Sequence, residues 1–309
     1  VALRHEARPG GQPFVAGTAA ADLHAHTTRS DGVLEPLELV GQAYDAGVRL
    51  FAIADHDNLA AYRELTAPGA APLPADLELV PAVEINAVTG ALAIDLPEGE
   101  LHVLGIGVDP FSEAFETAIA AQRTARRRRF SAAVELLRSI GLPVDGHLPP
   151  GVLESDDALG RPTLARALVA AGHASSVEDA FRRILGAGQP GYVPRSGMNP
   201  VEAIRAIRKA GGLASIAHFA EAPRHLDLVR ELMGHGLDGL ETHHRSFEAD
   251  TRQAMTEVAS LLGLVETGGT DYHGDTASYA EDHAQLEMPD ELVRDLRAAL
   301  SARGWPARP

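Results

Sequence analysis

Apolar runs of strand length, spaced by amphipathic stretches, constrain this chain more than any other feature. The runs fall at 19–23, 50–54, 77–85, 101–108, 213–217, 237–240 and 264–267. Helical patterns lie near 36–46, 200–210, 226–235 and 249–262. Such alternation predicts βα units and a parallel sheet or barrel. The middle breaks the pattern. No clear strand lies between Pro110 and Gly211, whereas 112–141, 161–172 and 177–185 read as helices. An inserted helical subdomain over the barrel mouth is expected there, because functional covers arise in long connections.

Charged and imidazole side chains gather where the apolar runs stop. Asp22-Leu23-His24-Ala25-His26 places two imidazoles two residues apart, on one face of an extended segment. Alone, such a pair is common. Asp22 is expected to orient one of the rings. Asp31 stands before Gly32, where a turn carboxylate is the ordinary reading. Ala54-Asp55-His56-Asp57-Asn58 runs from apolar residues straight into acid, imidazole and acid. A helix cap accounts for Asp57 or Asn58 but not for His56. Glu84 interrupts an otherwise apolar strand, which is costly unless the carboxylate is paired or metal-bound. His102 interrupts another, where a buried core histidine is the plain alternative. His218 ends the run Leu213–Ala217, and Asp271-Tyr272-His273 repeats the alternate-residue device.

The chain has no cysteine, so thiolate ligation, disulfides and a cysteine nucleophile are excluded. Six His, two Asp and one Glu remain as a ligand set: His24, His26, Asp31, His56, Glu84, His102, His218, Asp271 and His273. Nine N and O donors exceed the needs of one ion and suit two or three divalent ions with Glu84 as the bridge. Mixed imidazole and carboxylate ligation favours Mn, Fe or Zn. The formal charge of −16 is partly explained by carboxylates gathered around metals.

These motifs, in this order, resemble those of the PHP family, named for polymerase and histidinol phosphatase. The resemblance rests on Asp22-Leu23-His24-Ala25-His26-Thr27 with Ser30-Asp31-Gly32, on Ala54-Asp55-His56-Asp57, on Gly211–His218 and on Gly268-Gly269-Thr270-Asp271-Tyr272-His273-Gly274. It implies a distorted (β/α)7 barrel, a trinuclear metal centre and metal-dependent hydrolysis of phosphate esters. Barrel segments are then expected at 18–110 and 195–309, with the mainly helical insert at 111–194. The family pattern implies one ion on His24, His26, Glu84 and Asp271. A second would lie on Glu84, His102 and His218, and a third on Asp31, His56 and His273. His24, His26, Glu84, His218 and Asp271 are expected to carry catalysis around a metal-bridging hydroxide, with the leaving oxygen protonated by bound water or a further His.

The segments Gly160–Leu168 and Gly188–Pro194 are similar to the insert of a bacterial subgroup acting on 3′,5′-bisphosphonucleotides or short RNA. Three departures stand out. Thr163 stands where that subgroup usually has His, Phe219 where it usually has Pro, and the stretch from Glu84 to His102 is long. The alternative is a phosphatase or cyclic phosphodiesterase of a small metabolite such as a sugar phosphate or histidinol phosphate. Arg161, Arg195, His244 and Arg245 are the candidate substrate contacts, since Arg binds phosphate bidentately. Arg123 and Arg126 to Arg129 surround a helix, so only one or two of them can reach a ligand. With 5% aromatic residues and net negative charge, an extended nucleic-acid surface is disfavoured. The expected partner is a small phosphorylated substrate, with no membrane and no obligate protein partner. The first 17 residues lack the apolar core of a secretory signal, and cytoplasm is the expected compartment. Because the chain does not begin with Met, a short leader before Val1 remains compatible with it.

Overall fold

The computed structural model describes residues 19–91, 96, 99–152, 160–274 and 277–305. The readings made for residues 1–17 and for the barrel start at Thr18 lie outside the described residues. So does part of the connection between Glu84 and His102.

Seven strands form one sheet in chain order: β1 (Ala21–Asp22), β2 (Leu50–Ile53), β3 (Glu78–Val88), β4 (Glu100–Ile106), β5 (Leu213–Ile216), β6 (Gly239–His244) and β7 (Val265–Gly269). The sheet curls into a nearly closed barrel. Beyond the short β1, the Leu23 N–H bonds the Gly268 carbonyl at 3.1 Å and the His26 N–H bonds the Tyr272 carbonyl at 2.9 Å. This is the α/β barrel architecture expected from the alternation.

One strand departs from that expectation. β4 runs antiparallel to both β3 and β5, while the other neighbouring pairs are parallel. The physical reason is the connection. Only eleven residues, 89–99, join β3 to β4, and a parallel return needs a crossover of about a dozen residues or more, usually a helix. The reversal sets the beginning of β4, with Glu100 and His102, at the end of the barrel where the other strands finish.

Outside the sheet lie α1 (Pro36–Asp45), α2 (Ala60–Thr66), α3 (Glu113–Ser139), α4 (Arg161–Ala170), α5 (Val177–Ala180), α6 (Pro200–Lys209), α7 (Leu226–Gly234), α8 (Ala249–Leu262), α9 (Tyr279–His283) and α10 (Asp290–Ala302). Proline at the first helical position starts α1 and α6, and an Asn199–Glu202 capping box secures α6. The stretch expected as one helix at 177–185 instead passes from α5 into a wider π turn at Phe181–Leu185. α2, α9 and α10 were not anticipated. α10 buries Leu292, Val293, Leu296 and Leu300 against one end of the barrel core. No helix among the described residues is long and apolar enough to cross a membrane.

α3 is 27 residues long, about 40 Å at the helical rise. Its first turns bury Phe115 and Ile119 in the core shared by β3, β4 and α6. Its middle turns point Arg126 and Arg129 inward at the barrel mouth. Its last turns carry Phe130, Val134 and Leu137 into a separate apolar cluster with Leu164, Leu168 and Ile184.

Candidate metal centre

The strand ends bring all nine proposed ligands to one place. Their donor atoms form three groups, each within 4.8 Å: His24, His26, Glu84 and Asp271; Glu84, His102 and His218; and His26, Asp31, His56 and His273. The third group contains His26 beyond the set implied by the family pattern. Glu84 lies centrally and is 1% exposed. Its Oε1 stands 2.7 Å from His102 Nδ1 and 3.3 Å from His218 Nε2. Its Oε2 stands 3.0 Å from His56 Nδ1, 3.3 Å from His26 Nε2 and 3.4 Å from His24 Nε2. Asp271 Oδ1 is 3.1 Å from His26 Nε2, and Asp31 Oδ1 is 3.3 Å from His273 Nε2.

The backbone is strained to make this arrangement. Among the described residues, the only non-glycines with positive φ are Asp57 (53°), His218 (31°) and Asp271 (50°), all at the mouth. Each such conformation costs of order 1–3 kcal/mol and persists only where the surroundings enforce it. At Asp57 this replaces the expected helix cap. Its carboxylate pairs with buried Arg126 at 3.0 Å, while the Asn58 side chain accepts the Ala60 N–H at the start of α2.

The donor set fits divalent cations. His24 Nε2, His26 Nε2, His56 Nδ1 and Asp31 Oδ1 are buried and lack any hydrogen-bond partner, which is unfavourable unless a cation takes their lone pairs. Imidazole nitrogens and carboxylate oxygens without sulfur suit Mn, Fe or Zn. The electrostatics agree. Burial pushes the Glu84 carboxyl up, yet His56, His102 and His24 outweigh it and hold it well below the carboxylate range. Burial disfavours a charged His273, but Asp271 and Asp31 push it up to about 10. His102 is likewise raised, against burial, by Glu84 and Glu100 to about 9. His56 is driven down to about 3 by burial, with Arg126 adding to the effect. Carboxylates this effective at drawing protons onto neighbouring rings draw cations too, and the two compete for the same nitrogens.

The orienting shell differs from the expected one. Asp22 touches no histidine ring in the described contacts. It accepts from the His24 N–H at 3.1 Å, the Thr270 N–H at 3.0 Å, the Thr270 hydroxyl at 2.7 Å and the Tyr279 hydroxyl at 2.7 Å. It therefore fastens the strand ends that bear His24 and Asp271. The ring of His24 is held instead by Glu241, fully buried, whose Oε1 lies 3.1 Å from His24 Nδ1. The other Glu241 oxygen accepts the His218 N–H at 2.6 Å. Sequence reasoning missed Glu241. The available signal was an acid one residue beyond an apolar run. Asp55 ties down the loop before Asp31, accepting from the Thr27 N–H and hydroxyl and from the Ser30 hydroxyl.

A cavity of about 210 Å³ opens over the cluster. Asp31, His56, Glu84, His102, His218, Asp271 and His273 line one side, and Arg126, Arg161 and Arg195 another. Arg129 stands behind this arginine wall. The four guanidinium groups face two buried carboxylates, Asp57 and Glu100. Arg126 also donates to Asn86, which contacts His102 Nε2. Arg161 and Arg195 thus border the cluster. His244 lies beside it, with Nε2 3.7 Å from Asp271 Oδ2. Arg245 does not line the cavity and pairs with Asp282.

The first turn of α4 closes on the cluster at Gly160. A Cβ added there would collide with the Asp31 carboxylate. Gly160→Ala is expected to displace Asp31 and lower kcat/KM by about tenfold or more, as for loss of an orienting contact in a metal site. An unchanged metal content and rate in that variant would contradict the packing.

No family model matches the chain. It is 32% identical to a 5′-3′ exoribonuclease of Haemophilus influenzae over 282 residues, 89% of this chain and 97% of that protein. This chain belongs to the PHP family of metal-dependent phosphoesterases. As a PHP enzyme it is a phosphoric ester hydrolase. It is 27% identical to a 3′,5′-nucleoside bisphosphate phosphatase of Chromobacterium violaceum, covering 91% of this chain and 98% of that protein. Among solved structures, a protein of Bifidobacterium adolescentis described as a metal-dependent phosphoesterase superposes with a TM-score of 0.74 at 31% identity. That match covers 93% of this chain and 97% of the other. The PHP barrel thus accounts for the strand order and for the gathering of ligands at one mouth.

Proposed function

We propose that this enzyme hydrolyses phosphate esters of nucleotides, those of a 3′,5′-bisphosphonucleotide or of a short oligonucleotide. The observation that carries the reading is the single cavity lined both by the donor cluster and by Arg126, Arg161 and Arg195, two anion-seeking walls. A substrate with one phosphate needs only the first wall. The names of the relatives, an exoribonuclease and a nucleoside bisphosphate phosphatase, support the same substrate class. In this reading 18–110 and 195–309 form the catalytic barrel and 111–194 the insert that completes its mouth.

His24, His26, Asp31, His56, Glu84, His102, His218, Asp271 and His273 would hold two or three ions, Mn, Fe or Zn. Those ions would supply charge neutralisation at the phosphoryl oxygens and an activated water. The protein's own part is positioning. Glu84 joins the donor groups, Glu241 and Asp22 fix His24, and His244 lies beside Asp271 with its Nε2 free of any hydrogen bond among the described residues. Arg126, Arg161 and Arg195 grip the phosphate that does not react, and Phe181 and Pro162 narrow the cavity beside them. Fixed guanidinium groups at low exposure hold a phosphate more strongly than they would in water.

The test is a substrate panel in the presence of Mn²⁺: 3′,5′-bisphosphate, nucleoside monophosphate, dinucleotide, sugar phosphate and cyclic phosphate. The bisphosphate is expected to turn over faster than the monophosphate. Arg195→Ala is expected to erase that preference, at about tenfold for a lost charge-assisted contact of 1.5 kcal/mol or more. Chelation should abolish release of phosphate, and Mn²⁺ should restore it. Faster turnover of the sugar phosphate or the cyclic phosphate would sink the nucleotide reading.

A further inference from the structure

A second cavity, of about 490 Å³, shares Asp31 as a lining residue with the metal cavity. The two are consecutive along α4. Gly160, Arg161 and Pro162 in its first turn line the metal cavity, and Thr163, Arg166, Ala167 and Ala170 line the second. Those four positions have the i, i+3, i+4, i+7 spacing of one helix face. The opposite side carries Thr28, His147 and Pro150. Arg166 also donates to the Asp31 carbonyl at 2.8 Å, so the groove is tied to the loop that presents a proposed ligand.

Resting on the nucleotide reading above, we infer that this groove receives the nucleoside on the far side of the scissile phosphate, and so makes the enzyme a phosphodiesterase as well as a phosphatase. The argument is chemical. With the 5′-phosphate of the first nucleotide on the arginine wall, its 3′-phosphorus lies at the ligand cluster. In either substrate the oxygen of a water forms a bond to that phosphorus, the P–O3′ bond breaks, and the 3′ oxygen leaves with a proton. The only difference is the other substituent on phosphorus. A bisphosphonucleotide has none and yields inorganic phosphate. RNA has a 5′-linked nucleoside there and yields a shortened chain with a new 5′-phosphate.

That extra arm needs space next to the cluster and away from the arginine wall. The metal cavity alone, at 210 Å³, lies below the range of about 300–1,000 Å³ usual for small-molecule sites, whereas the groove falls inside it. Its surface suits a nucleoside. Proline and alanine side chains offer an apolar face for a base, exposed His147 offers a stacking ring, and Thr28, Thr163 and Arg166 offer polar atoms to a ribose or phosphate. Thr163 contributes room, standing where the nucleotide subgroup usually carries the larger histidine.

The experiment compares 3′,5′-bisphosphoadenosine with the 5′-phosphorylated dinucleotide pApA, both with Mn²⁺. The wild-type protein is expected to turn over both. Ala170→Trp, at an exposed helix position in the groove, and His147→Ala are expected to lower kcat/KM for the dinucleotide by about tenfold or more, the loss from one base-stacking or packing contact. Both variants should leave the bisphosphonucleotide within about twofold, the scatter for sites that do not interact. Retained bisphosphonucleotide turnover also shows that each variant is folded. If the dinucleotide resists cleavage while the bisphosphonucleotide is hydrolysed, or the variants slow both substrates equally or neither, the groove assignment is overturned and the nucleotide reading stands. If neither substrate is hydrolysed, the nucleotide reading itself falls.

Discussion

Glu84→Gln is expected to strip the protein of bound metal and to reduce kcat/KM by well over about 100-fold. Loss of a partner that merely orients a ligand already costs about 10–100-fold, and Glu84 is placed to do more. Its two oxygens face five histidines, His102 and His218 on one side and His24, His26 and His56 on the other. Glutamine keeps the shape and one acceptor oxygen but removes the charge and turns a donor toward imidazole nitrogens. Metal analysis of the purified variant beside its rate checks both halves of the expectation. Full metal content with full activity would show that Glu84 does not join the donor groups.

Glu241→Ala is expected to weaken metal binding by about 10–100-fold through His24. It should also destabilise the fold by about 1–3 kcal/mol, because the His218 N–H loses its acceptor. The carboxylate works on two ligands at once, one through a ring nitrogen and one through the main chain. Glu241→Gln separates the effects. Its amide oxygen can still accept the His218 N–H, so stability should recover while the His24 ring loses its charged partner. Calorimetric metal titration and thermal unfolding of the two variants read these outcomes. Equal metal affinity in wild type and Glu241→Ala would refute the orienting role.

Most of the nine candidate donors were legible because they interrupt or follow an apolar run, where a charged or imidazole side chain needs a reason, whereas Asp31, by itself an ordinary turn carboxylate, was singled out by the family pattern. Alternate-residue spacing at His24 and His26, and again at Asp271 and His273, added a shared face. Glu241 carried the same signal and was passed over. It lies inside β6, and the apolar run that marks this strand stops at Leu240. The direction of β4 was not legible because periodicity reports that a strand exists and not which way it runs. The arginines read as a ring around α3. Packing selects Arg126 and Arg129, three residues apart, as the buried pair, and leaves Arg128 exposed. Asp22 was placed near the right ligands but given the wrong task, since neither its chain neighbours nor their spacing show that Thr270 and Tyr279 will meet it.

The reversed β4 has a further consequence. Because that strand finishes at the end of the barrel away from the donor cluster, the chain must travel back to reach the mouth, and α3 makes the journey as a single strut. Its opening turns are cemented into the barrel, its middle supplies the arginine wall and its closing turns join a separate apolar cluster with α4 and the turn at Phe181–Leu185. That cluster is therefore carried on a girder rather than hung from a hinge. Tilting it would pull Phe115 and Ile119 out of the barrel as surely as it would lift Arg126 from Asp57.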